Sequence, residues 1–160
     1  MITEEQKIQK EILLAMYQDN IDQGRHHEIQ RGNVTSAMLA IEAIIIGLIT
    51  FDKQINLFDL PLTIMLIVLG VFGAGFTLKQ YERFSLHMER ARVYRGKLDE
   101  LFMGGLISSL KNSADNKNNC KYPILSNLRL NYWWTGLHLS IAGTGIVLTI
   151  VCVICPQHAT

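Results

Sequence analysis

Residues 60–78 read LPLTIMLIVLGVFGAGFTL, nineteen positions without a charge. A helix needs roughly 20 apolar residues to cross the ~30 Å hydrocarbon core of a bilayer. The run has no polar face to turn toward water, so a core helix of a globular protein fits it poorly. Two further runs accompany it: Val34–Phe51 stands ahead across a short loop, and Gly136–Cys155 lies near the C-terminal end. Together they predict an all-α membrane protein with three transmembrane helices. Residues 1–33 are too long and too polar a lead for the short basic start of a signal peptide.

Hydrophobic residues make up 49% of the 160 and charged residues 18%, which leaves a substantial part of the chain for water. The net charge of +1 says little, but its distribution gives a direction. Of the 15 Lys and Arg, Lys53 alone lies between the first two runs and none follows the third. Positive loops mark the cytoplasmic side. The N-terminus is therefore expected inside, Asp52–Asp59 as an outer loop, and the C-terminus in the periplasm or extracellular space. The expected layout is a cytoplasmic N-terminal helix over 1–33, a transmembrane hairpin over 34–78 and a cytoplasmic helix continuous with the second span over 79–103. A cytoplasmic linker with an interfacial aromatic segment over 104–135, a third span over 136–155 and an outer tail over 156–160 complete it.

Thr3 followed by Glu4, Glu5 and Gln6 reads as a helix start, with acids near the positive end of the dipole. Ile8, Ile12, Ala15 and Met16 recur at helical spacing behind it, and Gly24 and Gly32 are expected to weaken or bend the helix. Past Leu78, positions Tyr81, Phe84, Met88, Ala91, Arg95, Leu98 and Phe102 step by threes and fours. This is a coiled-coil-like seam running on from the second span. It predicts a cytoplasmic helical hairpin within one chain or a bundle between chains, with homo-oligomers preferred. Gly104-Gly105 closes the helix. KNSADNKNNCK over 111–121 reads as a polar linker, and Tyr132-Trp133-Trp134 as an interfacial belt ahead of the third span.

Glu42 stands midway along the first span, where a carboxylate facing lipid costs several kcal/mol. It should face other helices or water, or be protonated, either as a pore-lining or proton-sensitive group or as an interhelical hydrogen bond. His138 is read as a weakly polar packing group, with a pore or interhelical role as the alternative. Gly70, Gly73 and Gly75 on the second span, and Gly143 and Gly145 on the third, permit close helix contact.

His26, His27 and His87 match no zinc spacing and read as surface histidines, so no metal is expected. Cys152 and Cys155 form a C-x-x-C with poor geometry inside a helix, and with Cys120 read as free thiols. Arg90, Arg92, Arg95 and Lys97 could contact a nucleotide messenger or anionic lipid. Because they spread around the helix, solvation and pairing with acids such as Glu11, Asp19 and Asp22 is the plainer reading. No nucleophile elbow, Walker loop, dinucleotide fingerprint or HExxH is present, so neither catalytic residues nor a cofactor are expected. No direct nucleic-acid binding is expected either.

The segments HHEIQRGNVTSAMLAIEAIIIGLITFD and FTLKQYERFSLHMERARVYRGKLDEL carry a polar helix, a tight pair of spans and a charged helix continuing from the second. This plan resembles the SLATT type of small bacterial membrane protein found in antiviral defence systems. The resemblance covers roughly residues 24–102 and is one of layout. It implies a non-enzymatic inner-membrane effector that oligomerises to permeabilise or depolarise the membrane when a cytoplasmic protein or nucleotide signal arrives. The third span departs from a simple two-span plan. The alternative expectation is a membrane scaffold or sensor that holds a cytoplasmic partner and conducts nothing.

Overall fold

A computed structural model of the chain describes residues 3–51 and 54–154. Its described residues form helices and turns, with no strand among them. The main elements are α1 (Glu4–Thr50), α2 (Leu60–Leu98), α3 (Leu106–Lys121) and α4 (Leu130–Ile154). Three stretches are long and apolar enough to cross a membrane: Glu4–Thr50, Leu57–Met103 and Leu130–Ile154. At 1.5 Å per residue, α1 alone is about 70 Å long. The chain divides into two compact units, Met1–Glu28 with Tyr81–Arg129 and Ile29–Gln80 with Leu130–Thr160.

Local chemistry sets the element ends. Thr3 opens α1 through a capping box: Gln6 N–H donates to Thr3 Oγ1 at 3.2 Å, and Thr3 N–H to Gln6 Oε1 at 3.0 Å. A second capping box joins Asn56 and Asp59 ahead of α2, and Pro61 falls in the first helical turn, where its missing N–H costs nothing. Asp52 and Lys53 of the expected outer loop, and Cys155 and Pro156 beyond α4, lie outside the described residues.

In the unit holding the chain's beginning, α1 and α2 lie against each other. A Cβ at Gly24 would collide with Met88 Cε and come within 3.6 Å of Phe84. Gly24 and Gly32 therefore do not break the helix; α1 runs through both, and Gly24 makes room for α2. The face that packs is not Ile8, Ile12, Ala15 and Met16. All four are exposed, Ile8 and Ile12 by 56% and 58%, while Asn20 and Gly24 are buried. On α2 the seam positions turn inward: Ala91 is buried, and Tyr81, Phe84, Met88, Arg95, Leu98 and Phe102 are half-buried.

After α2 a π-helical turn, Asp99–Met103, leads to Gly104 and Gly105, both at positive φ (58° and 88°). Only glycine takes two such residues in succession without strain. The stretch read as a polar linker is instead helical from Leu106 to Lys121. Asp99 explains why. Its Oδ1 accepts from Ile107 N–H and its Oδ2 from Ser108 N–H, both at 2.8 Å, so a buried carboxylate caps α3 from across the glycine turn. Lys111 and Asp115 form an i,i+4 pair farther along. The helix stops at Tyr122 because Pro123 disfavours helical backbone in the residue before it.

Candidate functional site

The unit of residues 29–80 and 130–154 packs α1, α2 and α4 on unusually polar faces. α4 begins at Leu130 rather than at Gly136, so the Tyr132-Trp133-Trp134 belt is helical. Its least exposed face is Asn131, Thr135, His138, Ala142, Gly145, Thr149 and Cys152, all small or polar. Leu139, Ile146, Val147, Ile150 and Val153 are exposed. The helix thus turns its aliphatic side outward, the arrangement expected when the surrounding solvent is hydrocarbon.

Small residues let the backbones meet. A Cβ at Gly70 would lie 2.6 Å from Ala142 N and 2.7 Å from His138 O, and one at Gly145 would lie 2.9 Å from Ile67 N. A Cβ at Gly73 would strike the His138 ring. Gly75 and Gly143, read with these three as packing glycines, are not part of the contact, since a Cβ on either meets nothing within 4 Å among the described residues.

Glu42 and His138 meet inside this packing. Their side chains are 1% and 0% exposed, and His138 Nδ1 lies 3.9 Å from Glu42 Oε1. On the far side of the ring, Nε2 and the buried Thr35 Oγ1 share a hydrogen bond of 3.4 Å. Among the described residues, both Glu42 oxygens and His138 Nδ1 have no hydrogen-bond partner, nor do the buried Thr77 Oγ1 and Asn131 Oδ1. An orphaned buried polar group costs about 1–3 kcal/mol, so five such atoms in one unit mark a place where stability has been given up. Arg31 is buried on the same side of α1.

Beyond Glu42 the interior changes character. Ile45, Ile49 and Leu66 form a fully apolar cluster, with Leu62, Leu69, Ile141 and Leu148 packed around it. Past that layer, Thr149 Oγ1 shares its proton between Thr63 Oγ1 at 2.9 Å and Gly145 O at 2.8 Å. Cys152 is a buried free thiol and Cys120 an exposed one.

The other unit holds a second polar contact. His27 and His87 stack with ring centroids 5.4 Å apart, and His26 meets His27 edge-on. His87 Nδ1–H donates to Asn20 Oδ1 at 3.2 Å, and Asn20 Nδ2–H donates to Met16 O. Desolvation lowers the His87 pKa, helped by the charges of His27 and Arg90. The histidines read as plain surface groups therefore pack on one another. No group of three His, Cys, Asp or Glu is arranged for a metal among the described residues. Asp99 is held below the usual carboxylate range, first by its hydrogen bond with the Ser108 side chain and then by the Ser108 and Ile107 amides.

In the basic cluster, Arg92 pairs with Glu89 at 2.6 Å and Lys97 with Glu100 at 2.7 Å along their own helix. Arg95 lies close enough to Asp99 to help keep it charged, and Arg90 to affect His87. Asp22, one of the acids considered as a partner for these bases, instead pairs with Arg25.

Sequence reading found Glu42 and His138 separately but not their meeting, and it missed Thr35, Thr77 and Asn131. A signal was present in α4. Positions 131, 138, 145 and 152, and 135, 142 and 149, hold Asn, His, Gly, Cys and Thr, Ala, Thr at heptad spacing within an aliphatic helix. No family model, curated protein or solved structure matches the chain.

Proposed function

We propose that this protein is a non-enzymatic integral membrane protein that dissipates the ionic gradient of the membrane it crosses. The observation that carries this reading is the Glu42–His138 centre: two ionisable side chains, almost fully buried and incompletely hydrogen-bonded, between helices whose outward faces are aliphatic. Ionisable groups at such depth are costly to keep, and ion or proton pathways are a recurrent reason for keeping them. In this reading α1 and α2 cross as a hairpin and α4 crosses a third time. The lysine and arginine distribution puts the N-terminus in the cytoplasm and the C-terminus outside. The layout resemblance to SLATT-type proteins favours a bacterial inner membrane, a homo-oligomer and a defence trigger arriving as a cytoplasmic protein or nucleotide signal.

The seam of Tyr81, Phe84, Met88, Ala91, Leu98 and Phe102 faces inward within its own unit. In this reading self-association uses other surfaces, and the exposed Ile8, Ile12 and Met16 offer one apolar stripe on the N-terminal part of α1. That same stripe favours the second reading, a scaffold that holds a cytoplasmic partner through α1. Deleting residues 1–31 separates the two, because a scaffold loses its partner and a permeabilising protein keeps or gains conductance. The direct test is current across a planar bilayer holding the purified full chain, as wild type and with Leu66→Ser opening the apolar layer around Ile45, Ile49 and Leu66. Current that rises with inserted protein in either form supports the reading. Silence of both forms, with protease protection showing them inserted, overturns it.

A further inference from the structure

We propose that the interior of the α1–α2–α4 unit is a proton half-path, a polar ladder from Asn131 to Glu42 closed beyond it by an apolar plug of Ile45, Ile49 and Leu66. This rests on the gradient-dissipating reading above and names its permeant.

Three observations build the ladder. Asn131, Thr135 and His138 follow one face of α4 at steps of four and three, and Thr35 and Glu42 follow one face of α1 a heptad apart. Residues at such spacing stack along a single helix face. Thr77 is buried on α2 one turn from Gly73, the residue against the His138 ring. The unpaired atoms fall along this line: Asn131 Oδ1, Thr77 Oγ1, His138 Nδ1 and the two Glu42 oxygens.

The His138 ring suits a relay. Nε2 faces the Thr35 hydroxyl and Nδ1 faces Glu42, so a proton taken up on one nitrogen is released from the other. The 3.9 Å gap between Nδ1 and Oε1 is closed by one bridging water or a small ring rotation. When Nδ1–H gives its proton to a carboxylate oxygen of Glu42, the imidazole returns to neutral and Glu42 becomes a carboxylic acid. No other bond changes.

The packing selects the proton over larger ions. Gly70 and Gly73 admit not even a methyl group between α2 and α4 at the level of His138. A hydrated sodium or potassium ion needs far more room than that, whereas a proton needs only a chain of donors and acceptors. Beyond Glu42 that chain ends. Ile49 and Leu66 are both 0% exposed and offer no polar atom, and apolar constrictions of this kind close a path by excluding water. Thr63 and Thr149 resume polar contact on the plug's other side.

The test uses purified full-length chain in phosphatidylethanolamine–phosphatidylglycerol vesicles. A potassium diffusion potential drives ions inward, an internal pH dye reads protons, and a sodium dye reads a competing cation. Leu66→Ser should breach the plug and raise proton flux above wild type while sodium flux stays at the level of protein-free vesicles. Adding Glu42→Gln, which keeps the size of the side chain, should return proton flux to the protein-free level. Ile49→Thr carries the same comparison should Leu66→Ser not fold. Proton flux indifferent to Glu42→Gln overturns the proposal. Sodium passing alongside protons overturns it too, but leaves the gradient-dissipating reading standing. No flux of either ion through an inserted plug variant overturns both.

Discussion

Replacing Gly70 by alanine adds one methyl group at the closest approach between α2 and α4. That Cβ would sit 2.6 Å from Ala142 N, 2.7 Å from His138 O and 2.8 Å from Ala142 Cβ, where ordinary contact begins at 3.4 Å. Two of these neighbours are backbone and cannot rotate away, so α4 has to retreat by about 1 Å, which forfeits a quarter to a half of the dispersion energy along the contact. Overpacking of this kind costs about 1–3 kcal/mol. Alanine's better helix propensity returns about 0.5–1 kcal/mol of it. The net expectation is a loss of roughly 1–2 kcal/mol, a five- to thirtyfold shift in the unfolding equilibrium. Gly75→Ala supplies the control, because a Cβ there meets nothing within 4 Å, and it should be neutral or slightly stabilising. The assay is unfolding of the full chain in mixed micelles by titrated SDS, followed through the fluorescence of Trp133 and Trp134 on α4. Equal stability of Gly70→Ala and Gly75→Ala would refute the close approach on which the buried Glu42–His138 centre depends.

Three further outcomes follow from the same geometry. The His87 pKa is lowered by burial, so the stability it contributes is present above the ordinary imidazole value of about 6.5 and is lost as pH falls through its lower folded value. Amide protection factors across 81–95, taken relative to the intrinsic exchange rate at each pH, should fall on acidification in wild type, and His87→Gln should flatten that dependence. Asp99→Ala should unravel the start of α3, seen as lost protection at Ile107 and Ser108, with Asp99→Asn intermediate; because the folded carboxyl is held low, the cap's contribution should be fully present above the ordinary carboxyl value of about 3.9 and be lost as pH falls through the lower folded value. Thr149→Val removes the hydroxyl that reaches Thr63 and should cost about 0.6–1.7 kcal/mol in the SDS titration, the range of interhelical hydrogen bonds in membranes.

The helices long and apolar enough to cross a membrane were legible in the sequence because length and composition define them, and both are local properties. Thr3 and Gln6 announced the start of α1 for the same reason. The first turns of α4, from Leu130 to Thr135, and all of α3 were not, because each departs from the apolar pattern that flags a span. α3 buries nothing and depends on a carboxylate across a two-glycine turn, a contact that composition cannot reveal. The apolar spacing of Ile8, Ile12 and Met16 fitted the helix that forms but not its packed face, since α1 packs there through Gly24 and Asn20. At the candidate site, Glu42 stood out as a charge in an apolar run. Its meeting with His138, 96 positions away, depends on the register of α4 against α1. The close approach of α4 to α2 that holds His138 in place runs through Gly70, Gly73 and Gly145, which look no different in the sequence from Gly75 and Gly143.

The most direct measurement of the central claim is membrane potential in bacterial cells producing the full chain with Leu66→Ser, read with a potential-sensitive dye against the wild-type chain and a vector control. Depolarisation that exceeds wild type, tracks the amount of inserted Leu66→Ser chain, and is weakened by adding Glu42→Gln without reducing insertion is the predicted result. A Leu66→Ser chain that inserts at every level of production and leaves the potential unchanged would contradict the account.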